Sequence, residues 1–227
     1  MESVIVKAGK FDLVIFDLDG TLADTSQLIF DSFNFIMRKY KSLELTPKEI
    51  MSYFGPPEEI AIKNILGSDD FDNVWRDYLD FYENHLSQTH LFPGIAELTT
   101  ELRRAGTRLA IFTGKGSNTT ELTLKYHGLM EMFDIIVTGS VVTNHKPNPE
   151  GVELALSRLG IESSRAVVVG DSPSDCKAAS SAGTHFIAAL YDGLAKNRFD
   201  NIDCVKVSSV EELSAVLLDG SVQNDIR

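Results

Sequence analysis

Residues 11–25 read FDLVIFDLDGTLADT, and this stretch constrains the fold more than any other. The apolar run Leu13-Val14-Ile15-Phe16 ends abruptly in Asp17-Leu18-Asp19-Gly20-Thr21. A short, continuously apolar run closed by turn residues reads as a buried strand emptying into a turn. Two carboxylates two residues apart at a strand end repel each other, and a fold tolerates them mainly where a cation neutralises them. The stretch therefore predicts a buried sheet whose end carries chemistry rather than a plain connection.

The next segment has a different character. Ile29, Phe33, Ile36, Met37 and Tyr40 recur at helical spacing, with Thr25 or Ser26 available as N-cap. Thr46-Pro47-Lys48-Glu49 is a capping box with proline at the first helical position. Gly55-Pro56-Pro57 breaks that helix and starts a short third one toward Leu66. A fourth carries Phe71, Val74, Trp75, Tyr78, Leu79, Tyr82 and Leu86 on one face, an aromatic stripe that reads as the core of a small helical module. From Thr25 to Leu91 the pattern is all helix, with no strand, which argues for a module inserted just after the acidic turn.

From Pro93 onward, strands and helices alternate. Ile95, Leu98 and Leu102 mark a helix closed by Gly106, and Arg108–Thr113 is an apolar strand. A helix from Asn118 to His127 precedes a strand at Phe133–Val137, and a helix from Pro149 to Leu159 precedes one at Ala166–Val169. Ser172-Pro173 opens another helix, His185–Leu190 gives a fifth strand, and Ser209 with Glu212 caps a last helix before a polar tail from Asp219. Apolar strands alternating with helices predict an α/β protein with a parallel sheet covered on both faces. Ligands in such sheets sit at the carboxyl ends of the strands.

Those ends carry Asp17 and Asp19, then Thr113, then Lys146 after a loop, then Asp171 with Asp175 shortly after. Together they are the set needed to hold a divalent metal and a phosphate. The formal net charge of -12 argues against nucleic acid or an anionic membrane as partner, since both need a basic face. Cys176 and Cys204 are too few for a disulfide framework and fit a reducing cytosol. No apolar run approaches a membrane span, and Met1–Lys10 lacks the apolar core of a signal peptide, so the expected location is cytoplasmic.

The motifs Asp17-Leu18-Asp19-Gly20-Thr21, Thr113, Lys146 and Gly170-Asp171-Ser172-Pro173-Ser174-Asp175, in that order, resemble the haloacid dehalogenase superfamily. The wording FDLDGTLADT and the Gly55-Pro56-Pro57 loop are most similar to its phosphoglycolate phosphatase and pyrophosphatase-like branch. The resemblance implies a three-layer, Rossmann-like catalytic core at 1–24 and 92–227 and an α-helical cap domain at 25–91. It implies an Mg²⁺-dependent phosphatase acting on a small phosphorylated substrate, such as a phosphoglycolate-like monoester, a sugar phosphate or pyrophosphate. Asp17 would be the nucleophile and Asp19 the proton donor and acceptor, with Thr113 and Lys146 assisting catalysis. Gly20, Gly114 and Lys115 would contact substrate. Asp17, Asp171, Asp175 and the backbone carbonyl of Asp19 would serve the metal, with Asp175 either a ligand or a partner that positions Lys146.

Within that resemblance, Asp19 counts against dehalogenases and phosphonatases, which lack the second acid. Phosphomutases of the β-phosphoglucomutase type carry a cap histidine where this chain has Ile29. Two non-hydrolytic alternatives are a phospho-acceptor of receiver type, disfavoured by the helical insertion, and a silent binding protein of the same fold. The cap cations Arg38, Lys63 and Arg76 could meet a second anionic group, although solvated faces suit them as well. The Gly55-Pro56-Pro57 loop is expected to face the catalytic crevice, where a rigid backbone suits a lid.

Overall fold

The structure, a computed structural model, describes residues 11–67, 70–195 and 197–219. Its elements run in order β1 (Leu13–Phe16), β2 (Ala23–Asp24), α1 (Ser26–Lys41), α2 (Pro47–Met51), α3 (Glu58–Leu66), α4 (Phe71–Asn84) and β3 (His90–Leu91). Then follow α5 (Ile95–Arg104), β4 (Arg108–Phe112), α6 (Ser117–Tyr126), β5 (Ile135–Val137), α7 (Glu150–Leu159), β6 (Ala166–Gly170) and α8 (Pro173–Ser181). The last are β7 (His185–Ala189), β8 (Val205–Val207) and α9 (Val210–Ser214).

Six strands form one parallel sheet in the order β5-β4-β1-β6-β7-β8. Alternation along β1 divides the core. Val14 and Phe16 pack on one face with Leu109, Ile111, Val167 and Val169, and Leu13 and Ile15 pack on the other with Ala110, Phe112 and Val168. Both faces being covered explains why these strands are apolar throughout. Phe16 pairs with Ile111 and with Val169, so Asp17, Thr113 and Asp171 leave the sheet along one edge. The chain order reverses on either side of β1, which makes that edge a topological switch point.

Helices α1–α4 bury Leu28, Phe33, Ile36, Val74, Tyr78 and Tyr82 in a hydrophobic cluster of their own. The Thr46–Glu49 and Ser172–Asp175 capping boxes both form, and Ser209 caps α9 by accepting from the Glu212 N–H.

Three features differ from the sequence expectation. The helical stretch is not free of strands, because β3 pairs antiparallel with β2. Two residues cannot show a period, and their pairing joins positions far apart in the chain. The sheet has a sixth strand, β8, whose central Lys206 is exposed, so this short edge strand lacks an apolar run. Thr25 occupies the N-cap position of α1 but makes no side-chain cap; its hydroxyl is committed to Asp19. The Met1–Lys10 segment and the tail beyond Asp219 lie outside the described residues.

Candidate active site

The edge at β1 gathers the charged groups. Asp17 receives the Lys146 ammonium at 3.0 Å, and the same nitrogen lies 2.6 Å from Asp175. Phe112 supports Lys146 from below, its ring centroid 4.7 Å from the ammonium. Burial, then repulsion from Asp175 and Asp19, pushes the Asp17 carboxyl up to about 6, against the opposing pull of Lys146. Burial disfavours the Lys146 ammonium, yet Asp17 and Asp175 outweigh it and hold the group protonated well above its usual range.

The β6 end supplies the remaining acids. Asp175 lies in the first turn of α8, where one carboxylate oxygen accepts from the Ser172 N–H and hydroxyl, at 3.1 and 2.6 Å, while the other faces Lys146. Capping and site chemistry thus share one residue. Gly170 leaves room for it, since a Cβ there would lie 2.5 Å from the Asp175 carboxyl carbon. Asp171 is pushed well above the usual carboxylate range, first by burial and then by Asp17 and Asp175. Gly20, at φ +79°, lies against it, and a Cβ at that position would sit 2.9 Å from the Asp171 carboxyl. Glycine is required there for the backbone conformation and for the close approach.

One carboxylate oxygen from each of Asp17, Asp171 and Asp175 lies within 4.8 Å of the others. Asp17 Oδ1 and Asp175 Oδ1 are buried without a hydrogen-bond donor other than the Lys146 ammonium among the described residues. Clustered hard oxygen ligands of this kind fit Mg²⁺. Asp19 contributes no carboxylate oxygen to the trio. Its side chain accepts from the Thr25 hydroxyl at 2.5 Å and lies 3.5 Å from the Lys115 ammonium.

Thr113 is buried at the end of β4, and its hydroxyl oxygen accepts from the Lys115 N–H. Lys115 is also buried, over the Tyr82 ring and 3.1 Å from Glu58. Glu58, at the start of α3, takes the Gly116 N–H at 2.6 Å and the Thr119 hydroxyl at 2.9 Å. Burial works against its charge, but Lys115 and the Gly116 amide hold the carboxyl below its usual range. The Tyr82 hydroxyl meets Thr123 of α6 at 2.8 Å, so the aromatic stripe of α4 does more than fill its own module.

These groups line a cavity of about 290 Å³, small for a ligand site. Gly20, Gly114, Thr113 and Lys115 all face it, as do Phe54, Gly55 and Pro56 of the loop before α3. Ile29 lines it too. Arg38 pairs with Glu44, Lys63 lies over Phe71 and Arg76 bonds Asn73, and none of the three lines the cavity. Three charged lining residues escaped sequence reasoning: Glu58, Asp192 and Arg198, the last reaching Asp171 at 2.6 Å. Glu58 carried one signal, its place directly after Gly55-Pro56-Pro57; Asp192 and Arg198, in a polar loop, carried none.

The family model for haloacid dehalogenase-like hydrolases matches residues 14–189. The chain belongs to that family. This haloacid dehalogenase-like hydrolase is 36% identical to pyrophosphatase PpaX of Bacillus velezensis over 173 residues, covering 75% of this chain and 79% of the relative. It is 31% identical to pyrophosphatase PpaX of Bacillus cereus, covering 80% and 84%. Among solved structures, CbbY from Rhodobacter sphaeroides in complex with phosphate superposes with a TM-score of 0.78 at 26% identity, over 89% of this chain and 96% of that one. With these relatives and the acidic strand-end site, the chain is a phosphatase of the haloacid dehalogenase-like family, similar to the PpaX pyrophosphatases.

Proposed function

We propose that this phosphatase hydrolyses a small phosphate monoester or pyrophosphate through an aspartyl-phosphate on Asp17, with Mg²⁺ as cofactor. The observation that carries the reading is the Asp17 carboxylate, held 3.0 Å from the Lys146 ammonium within the trio of buried acids. Pyrophosphate is the favoured substrate class, on the names of the relatives and on a cavity of about 290 Å³. Residues 1–24 and 92–227 act as the catalytic core, and 25–91 as the cap. The cap closes about the two crossings near Leu22–Thr25 and His90–Leu91.

Asp17, Asp171, Asp175 and the Asp19 backbone carbonyl are the groups for the metal. When bound, Mg²⁺ supplies positive charge that keeps Asp17 ionised and balances the phosphoryl oxygens. An Asp17 oxygen attacks phosphorus, the bond to the leaving oxygen breaks, and that oxygen takes a proton from Asp19. Water then attacks the phosphorus of the aspartyl-phosphate and gives its proton to Asp19, releasing phosphate and restoring Asp17. The Thr113 hydroxyl and the Gly114 backbone donate to phosphoryl oxygens, and Lys146 offsets the charge of nucleophile and phosphate together. Gly20 keeps the backbone of the turn close to the substrate, and Lys115 acts from the wall of the crevice.

A phosphate-release screen over pyrophosphate and small phosphomonoesters with Mg²⁺ tests this. Turnover is expected with at least one of them, falling about a thousandfold or more in Asp17→Asn. No turnover with any, or full turnover in Asp17→Asn, overturns it.

A further inference from the structure

Among the described residues three cations line the crevice, and they are not equivalent. Lys115 and Lys146 are 1% and 7% exposed, and each lies between two carboxylates. Arg198 is 32% exposed and holds a single partner, Asp171, through one terminal nitrogen among the described residues. A guanidinium carries five N–H donors in a planar fork, so the others remain for a ligand. Its position is fixed on three sides. Ala195 and Phe199 are fully buried, with Phe199 stacked on Phe186 at 5.9 Å. The Arg198 N–H bonds the Ala195 carbonyl at 3.0 Å, and the Tyr191 hydroxyl ties the start of the loop to the Thr21 carbonyl at 2.8 Å. Backbone anchored in this way, with the guanidinium held by Asp171, presents an arginine to the crevice at a reduced entropy cost of ordering it.

We propose that Arg198 is a specificity residue that takes the second, non-transferred phosphoryl group of the substrate. This rests on the reading of the crevice as a phosphoryl site, and it narrows the substrate class to a phosphoanhydride or another compact molecule with two phosphoryl groups. The two committed lysines balance the fixed acids of the crevice, and Arg198 supplies the charge for an additional dianion. Asp192 also lines the crevice, and its charge attracts the same guanidinium, so a ligand there must carry enough charge to compete.

Calorimetric binding of two non-hydrolysable probes, methylenediphosphonate and methylphosphonate, to the full chain with Mg²⁺ tests the proposal. The wild type is expected to bind the bisphosphonate more tightly. Arg198→Gln should weaken the bisphosphonate about tenfold or more relative to its effect on the monophosphonate. Arg198→Lys, which keeps the charge and loses the fork, should fall between and serves if the glutamine variant does not fold. Parallel losses for both probes, which a role in bracing Asp171 alone would give, overturn the proposal, as does an unchanged ratio or a wild type without preference. Failure of the wild type to bind either probe marks the failure of the phosphoryl-site reading itself.

Discussion

Asp17 is placed where its protonation opposes its work. In the metal-free protein, burial lifts it from 3.8 to about 6, and Asp171 is lifted as well. A carboxyl raised on folding stabilises the folded state fully below its unfolded value, and that contribution is lost as pH rises through the folded value. Burial of Asp17 therefore costs stability as pH climbs from about 4 through 6, with Asp171 acting in the same direction, and a bound divalent cation offsets that cost only where these acids are ionised. Saturating Mg²⁺ is accordingly expected to raise Tm more at about pH 7.5 than at about pH 5, as scanning calorimetry would show. An equal shift at both pH values contradicts the assignment. Asp17, Asp19, Thr113, Lys146, Asp171 and Asp175 were legible in the sequence because each follows a strand or sits at a fixed offset from one. Arg198 and Glu58 were not, because their partners lie 27 and 58 residues away; nothing local marks Arg198, and Glu58 is marked only by its place after Gly55-Pro56-Pro57.

Among the elements, α3 carries a charged contact that joins the helical module to α6 and the loop after β4. Glu58 reaches the Gly116 amide, the Thr119 hydroxyl and Lys115, while Glu59 accepts from the Ser140 hydroxyl at 2.5 Å. Gly139 packs under the same junction, where a Cβ would lie 2.8 Å from Pro57. Hydrogen bonds to a charged group contribute about 1.5–3 kcal/mol each. Glu58→Ala is therefore expected to raise amide exchange at Gly116 at least about tenfold, read by hydrogen-exchange mass spectrometry. Unchanged protection of the 114–119 segment refutes the assignment of Glu58 as the closing contact. The helices themselves were readable from their caps and periodicity. Their docking was not, because a buried glutamate in a first helical turn looks the same in sequence as a solvated one.

At the scale of the molecule, one parallel sheet with a switch point at β1 brings together residues from positions 17 to 198. Strands β1, β4 and β6 announced themselves as continuous apolar runs because both faces of the sheet are covered. The β2–β3 pair and the edge strand β8 stayed hidden, since two- and three-residue strands at the margins are set by pairing rather than by pattern. Among the described residues no helix is long and apolar enough to cross a membrane. The sheet gives the chemistry a fixed floor, and the helical module sets the cavity above it.

The central claim, that Asp17 carries the phosphoryl group, is most directly tested by acid-quenching the enzyme during Mg²⁺-supported turnover and reducing it with borohydride. Peptide mass spectrometry should then show homoserine in place of aspartate at position 17. Active turnover that leaves Asp17 unmodified, or places the reduced residue at Asp19 or Asp171, would contradict the account.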